Sequence, residues 1–143
     1  MSWYRERVGY ALQKTMIFTD TVMGNIQMDR PVPENKAEIL SICKLNSVIA
    51  KYADKEVNGD SNVLSGGERQ RVGMARALYG SPELLILDDN FTALDGKLRE
   101  EIITALSKWK EDRIIVVVSS YPEVLARADR VIVLDRREIA GND

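Results

Sequence analysis

Apolar positions along this chain follow two rhythms, and the change of rhythm divides it. In the C-terminal half three runs are continuous: Leu84-Leu85-Ile86-Leu87, Ile114-Ile115-Val116-Val117-Val118 and Val131-Ile132-Val133-Leu134. Short aliphatic runs between turn residues read as strands buried on both faces. Between the first two, Lys97 to Lys110 carries Leu98, Ile102, Ala105, Leu106 and Trp109 at helical spacing, and Pro122 to Ala128 predicts a second, shorter helix. Strand, helix, strand, helix, strand predicts a parallel sheet with right-handed crossovers. In such sheets ligands sit at the carboxyl ends of the strands.

The N-terminal half reads differently. Arg7-Val8-Gly9-Tyr10-Ala11-Leu12 predicts a strand running into Gln13, and Pro31 and Pro33 break the chain after Met28. From Glu34 to Asp54 the period is helical, with Ile39, Leu40 and Cys43 on one stripe and Val48, Ile49 and Tyr52 on another after a break at Leu45-Asn46. Residues 54–63 are polar, with a turn at Asn58-Gly59-Asp60. Ser65 then opens a helix through a Ser-x-x-Glu capping box with Glu68; Val72, Ala75 and Leu78 give its inner face, and Gly80-Ser81-Pro82 stops it. The expectation is an α/β body carrying a small helical insert.

Composition narrows the chemistry. At 143 residues, 45% hydrophobic and 29% charged, the chain is one globular domain in size. A net charge of −2 gives no footing for nucleic acid. One cysteine, Cys43, and no histidine argue against an internal disulfide, a zinc site and any imidazole base. The longest purely aliphatic run, Ile114 to Val118, falls far short of the roughly 20 residues of a membrane span. The first residues lack the apolar core of a signal peptide. Trp3 and Tyr4 read as packing aromatics.

Two places carry candidate chemistry. Leu64-Ser65-Gly66-Gly67-Glu68-Arg69-Gln70-Arg71 puts two glycines at the nose of a helix, whose unpaired N–H groups and dipole suit a phosphate. Asp88 and Asp89 stand at the carboxyl end of a predicted buried strand. Each has a plain structural alternative, as a capped helix entry and as a capping pair at a strand end.

The segment 64–71 resembles the LSGGxRQR signature of the ATP-binding-cassette (ABC) ATPases, and the resemblance extends over nearly the whole chain with the motifs in order. It implies a partial P-loop NTPase (RecA-like) core with parallel strands plus a small α-helical subdomain. On that basis residues 1–28 would end the N-terminal core, 29–80 form the helical subdomain, and 81–143 the α/β core with a degenerate switch region. Gln13 looks like the Q-loop glutamine, a Mg²⁺ contact and γ-phosphate sensor. Met16-Ile17-Phe18 to Gly24-Asn25-Ile26 resembles the stretch of exporters that meets a transmembrane coupling helix. Asp88 and Asp89 look like Walker B, the first holding Mg²⁺ and the second orienting the attacking water. Ala93-Leu94-Asp95 looks like the D-loop. The resemblance further implies that Ser65, Gly66, Gly67, Glu68, Gln70 and Asp95 meet an ATP held by an opposite cassette.

Three departures qualify the likeness. No GxxxxGK[ST] loop is present, and the family places it before the Q-loop, so the chain is expected to begin after it. Asp89 stands where active cassettes carry Glu, one methylene too short. Ser120 occupies the position of the switch histidine and cannot carry its charge. The expected protein is an ATP-binding part of an ABC exporter using ATP and Mg²⁺, hydrolysing slowly at most. Its expected partners are a second cassette, identical or different, and a transmembrane domain that keeps it at the cytoplasmic face of a membrane. The rivals are a non-hydrolysing fragment donating its signature in trans, and a soluble ABC ATPase of DNA repair or translation.

Overall fold

The computed structural model describes residues 7–59, 63–109 and 112–134; Trp3, Tyr4, Asp60 and Lys110 lie outside them. Three parallel strands form the sheet: β1 (Val8–Ala11), β2 (Leu84–Asp88) and β3 (Ile114–Val118), in that order across it. The ladders align Val8, Leu84 and Ile114 in one row and Tyr10, Ile86 and Val116 in another.

Six helices accompany the strands among the described residues: α1 (Val22–Gln27), α2 (Lys36–Ile42), α3 (Asn46–Tyr52), α4 (Gly66–Leu78), α5 (Gly96–Trp109) and α6 (Pro122–Leu125). The Leu45-Asn46 break falls where it was expected, since α3 starts at Asn46 after the left-handed Lys44. Within α1, the buried Asn25 fixes the chain that leads into the helix: its amide donates to Phe18 O and Thr21 O, and its Oδ1 accepts from Phe18 N–H.

Helix α4 lies directly on the sheet. A Cβ on Gly9 would sit 2.3 Å from Ala77 O, so the bare glycine lets the helix backbone press onto β1. Beneath it Ala11, Leu85 and Leu87 are buried, and Ile102, Leu106 and Trp109 of α5 complete the same core. Cys43 is buried in the core, and burial pushes its thiol up to about 12.

Two expectations are corrected. The strands are not covered on both faces: Tyr10, Ile114, Val116 and Val118 are exposed on the face away from α4. An aliphatic run reads the same whether one face is covered or two, and here α4 packs on one. The run Val131 to Leu134 is also not a strand; it has no ladder partner among the described residues, and Leu134 is 92% exposed. β-Branched residues favour extended backbone, but a strand forms only where a neighbour offers hydrogen-bonding groups in register.

Candidate nucleotide-facing site

The carboxyl edge of the sheet gathers one group of candidates. β1 leads to Gln13, β2 ends in Asp88 and leads to Asp89, and β3 leads to the exposed Ser120. Gln13 Nε2 donates to Asp89 Oδ2 at 3.0 Å, and the Tyr10 hydroxyl donates to Asp88 Oδ2 at 3.0 Å. The hydrogen bond to the Asp88 carboxylate, with lesser help from desolvation, raises the Tyr10 pKa and keeps the phenol a neutral donor. Asp89 is left-handed, with φ 49°, a conformation that Asp tolerates better than most residues. Its N–H donates to Val118 O at 3.1 Å, tying the acid loop to the end of β3.

The second group stands at the nose of α4. Ser65 is extended and its side chain accepts from Glu68 N–H at 3.1 Å, while Ser65 N–H donates to Glu68 Oε2 at 2.8 Å: the predicted capping box is present. The Glu68 carboxylate is turned inward, taking donors also from Lys51 and Tyr52. Desolvation would raise its pKa, but the Ser65 N–H, Lys51 and Tyr52 outweigh it and lower it. The amides of Gly66 and Gly67 remain at the open helix end, which has no intrahelical acceptors to offer them.

The loop after the acids joins the groups. Gln70, nearly buried, grips it twice: Nε2 donates to Thr92 Oγ1 at 2.8 Å, and Oε1 accepts from Ala93 N–H at 2.9 Å. A Cβ on Gly67 would lie 2.8 Å from Ala93 O. The glycine pair therefore makes room for this loop. Asp95 closes the loop as a cap, its Oδ1 accepting from Leu98 N–H at 2.9 Å at the start of α5.

Tyr10, Asn90 and Thr92 are the participants that pattern reading missed. Their partners are 78, 78 and 22 residues away, so no local signal marks them. A stretch near the membrane-facing expectation is also on the surface: Leu12, Met16, Phe18 and Met28 are exposed, with the Arg76 guanidinium over the Phe18 ring. Among the described residues no helix is long and apolar enough to cross a membrane. No group of three or more His, Cys, Asp or Glu that could hold a metal occurs among them either.

A parallel sheet that brings two carboxylates to its carboxyl edge, beside a glycine-nosed helix, is an α/β arrangement of the kind that binds phosphate-bearing ligands. Comparison with known proteins makes this specific: a family model for ABC transporters matches residues 1–92, and the chain belongs to that family. It is 34% identical over 145 residues to the multidrug resistance-like ATP-binding protein MdlA of Escherichia coli, covering 97% of this chain and 24% of MdlA. It is 31% identical over 145 residues to the ATP-dependent lipid A-core flippase of Saccharophagus degradans, covering 96% of this chain and 25% of the flippase. Among solved structures, a bacterial Atm1-family ABC exporter with ATP bound superposes with a TM-score of 0.81 at 28% identity, over 92% of this chain and 24% of the exporter. The likeness is thus to ATP-binding domains of exporter type, and the chain spans about a quarter of the length of these relatives.

Proposed function

We propose that the chain serves an ABC exporter by closing its signature and D-loop over an ATP held by an opposite cassette, and so couples ATP binding to transport. The observation that carries this reading is the Gln70 grip. It joins the α4 nose and the loop Thr92–Asp95 into one block, so Ser65, Gly66, Gly67 and Asp95 are presented together. Glu68 supports that block from within.

Residues 1–28, 29–80 and 81–143 are taken as core end, helical subdomain and α/β core. At the sheet edge, Asp88 is the residue to hold Mg²⁺, with Gln13 as sensor; the ion prefers one or two carboxylates completed by phosphate oxygens and water. One carboxylate oxygen beside a neutral Tyr10 donor fits such a partial shell. Bound there, Mg²⁺ would neutralise charge developing on the phosphates. Asp89, one methylene shorter than Glu, would hold an attacking water about 1 Å too far away, a displacement able to slow the step on the order of 10²-fold. The Ser120 hydroxyl can donate a hydrogen bond to a phosphate oxygen without adding charge. The exposed Met16, Phe18 and Met28 are the apolar seat for a transmembrane coupling helix, which would hold the chain at the cytoplasmic face of the membrane.

The test is ATP-dependent association of the 143-residue chain with a complete exporter cassette bearing an intact phosphate loop, read by sedimentation. ATP should drive pairing, and Gly66→Asp, which sets a carboxylate at the phosphate position, should abolish it without unfolding α4. Pairing indifferent to ATP, or unaffected by Gly66→Asp, would sink the reading.

A further inference from the structure

We infer that Asn90 is a positioning residue, whose carboxamide holds the Leu12–Gln13 backbone so that Gln13 stays on Asp89. This rests on the proposed role of Gln13 and Asp89 at the nucleotide.

The β1–β2 ladder ends at the pair Ala11 and Leu87. One residue further, Leu12 O accepts from Asn90 Nδ2 at 2.7 Å, a side chain standing where the next rung would be. The following residue, Gln13, reaches back to Asp89 at 3.0 Å. Leu12 is bonded to Asn90 and Gln13 to Asp89, so two hydrogen bonds and two peptide links close a small ring across the loops.

The two bonds of that ring are unequal. Gln13 is exposed, and a solvated amide–carboxylate contact holds weakly by itself, because water competes for both groups. Asn90 is fully buried, and its bond is shielded from that competition. Its orientation is also fixed: turning the amide over would set Oδ1 against Leu12 O, two acceptors face to face. The left-handed turn at Asp89 immediately precedes this inward-pointing side chain.

The other end of the carboxamide is informative. Asn90 Oδ1 is buried and has no hydrogen-bond donor. A buried amide satisfied at one end only is a poor choice for filling space, where an apolar side chain leaves nothing unpaired. The bond to Leu12 is what the residue contributes. Through it the acid loop and the glutamine loop are joined below the surface, while Gln13 keeps an exposed side chain free to exchange Asp89 for a phosphate oxygen.

The test is NMR on the isotopically labelled 143-residue chain, without nucleotide. In the unmodified chain a through-hydrogen-bond coupling should link Asn90 Nδ2 to the Leu12 carbonyl carbon, and a cross-relaxation peak should link the Gln13 side-chain amide to the Asp89 β-protons. In Asn90→Ala the second peak should be lost and the Gln13 amide should move to its free-peptide position, while Gly66 to Arg71 amides stay in place. Its survival in a folded Asn90→Ala chain overturns the inference. Should that variant not fold, Gln13→Ala decides: the Asn90–Leu12 coupling should persist, because Asn90 acts upstream, and its loss would reverse the proposed order. Absence of that coupling from the unmodified chain also overturns it. None of these readouts involves ATP or a second cassette, so failure here leaves the association test untouched.

Discussion

Under α4 the sheet buries Gly9, Ala11, Leu85 and Leu87, while on its opposite face Tyr10 is 49%, Val116 45% and Val118 53% exposed. The strands supply comparable apolar surface to both faces, so composition does not account for the difference. Coverage does. On the α4 side helices, a capping box and the Gln70 grip complete one another, and the surface proposed to meet an opposite cassette is organised from within. On the open side there is apolar area with no described helix across it, together with the outer edge of β3. The lesson is one of division: the α4 nose is ordered by the covered side, whereas the opposite face is uncovered among the described residues.

That contrast can be broken experimentally. The largest effect is expected from Ile102→Ala, which leaves a cavity in the covered core and should lower unfolding stability by about 3 kcal/mol in urea titrations. Val116→Ala on the open face should cost less than about 0.5 kcal/mol. Similar losses at the two sites would end the distinction. Next, Gln70→Ala should cost about 1–2 kcal/mol, because Thr92 and the Ala93 N–H lose a buried partner. It should also shift amide resonances on both sides of the grip; a change confined to α4 would mean that the two parts are not one block.

A smaller effect is expected from pH. The Glu68 carboxyl is held below its ordinary 4.5 in the folded chain, so its contribution is present above that value and fades as pH falls through the folded one. Glu68→Gln retains a capping-box partner but not the charge, so it should lower the neutral plateau by the carboxylate's contribution and flatten the acid limb. The smallest change in stability should follow Ile114→Lys, at a residue 65% exposed on the open face. Its visible consequence should be reduced self-association in light scattering, since a lysine blunts an open, apolar sheet edge. Unchanged scattering would locate self-association elsewhere.

How much of this was legible in the sequence depended on range. The Ser65–Glu68 cap spans three residues and is written in the local order Ser-x-x-Glu, as are the runs that become β2 and β3. Val131 to Leu134 is as aliphatic as β3, yet strand character belongs to a pair of segments, and this one has no ladder partner among the described residues. Coverage of a face is likewise decided by where helices land. At the site, Gln13, Asp88 and Asp89 could be anticipated from motif order. Tyr10 on Asp88 and Asn90 under Leu12 could not, because each joins residues 78 apart that meet only once β1 and β2 have paired.

One further feature has practical weight. Cys43 is the chain's only cysteine, it is fully shielded, and its thiol is pushed up to about 12, so almost none is thiolate near neutrality. The natural chain therefore doubles as a blank background for spectroscopy. A cysteine introduced at the exposed Phe18 or Val118 would accept a maleimide or spin label alone, and distances from those two points would report motion of each side of the sheet separately.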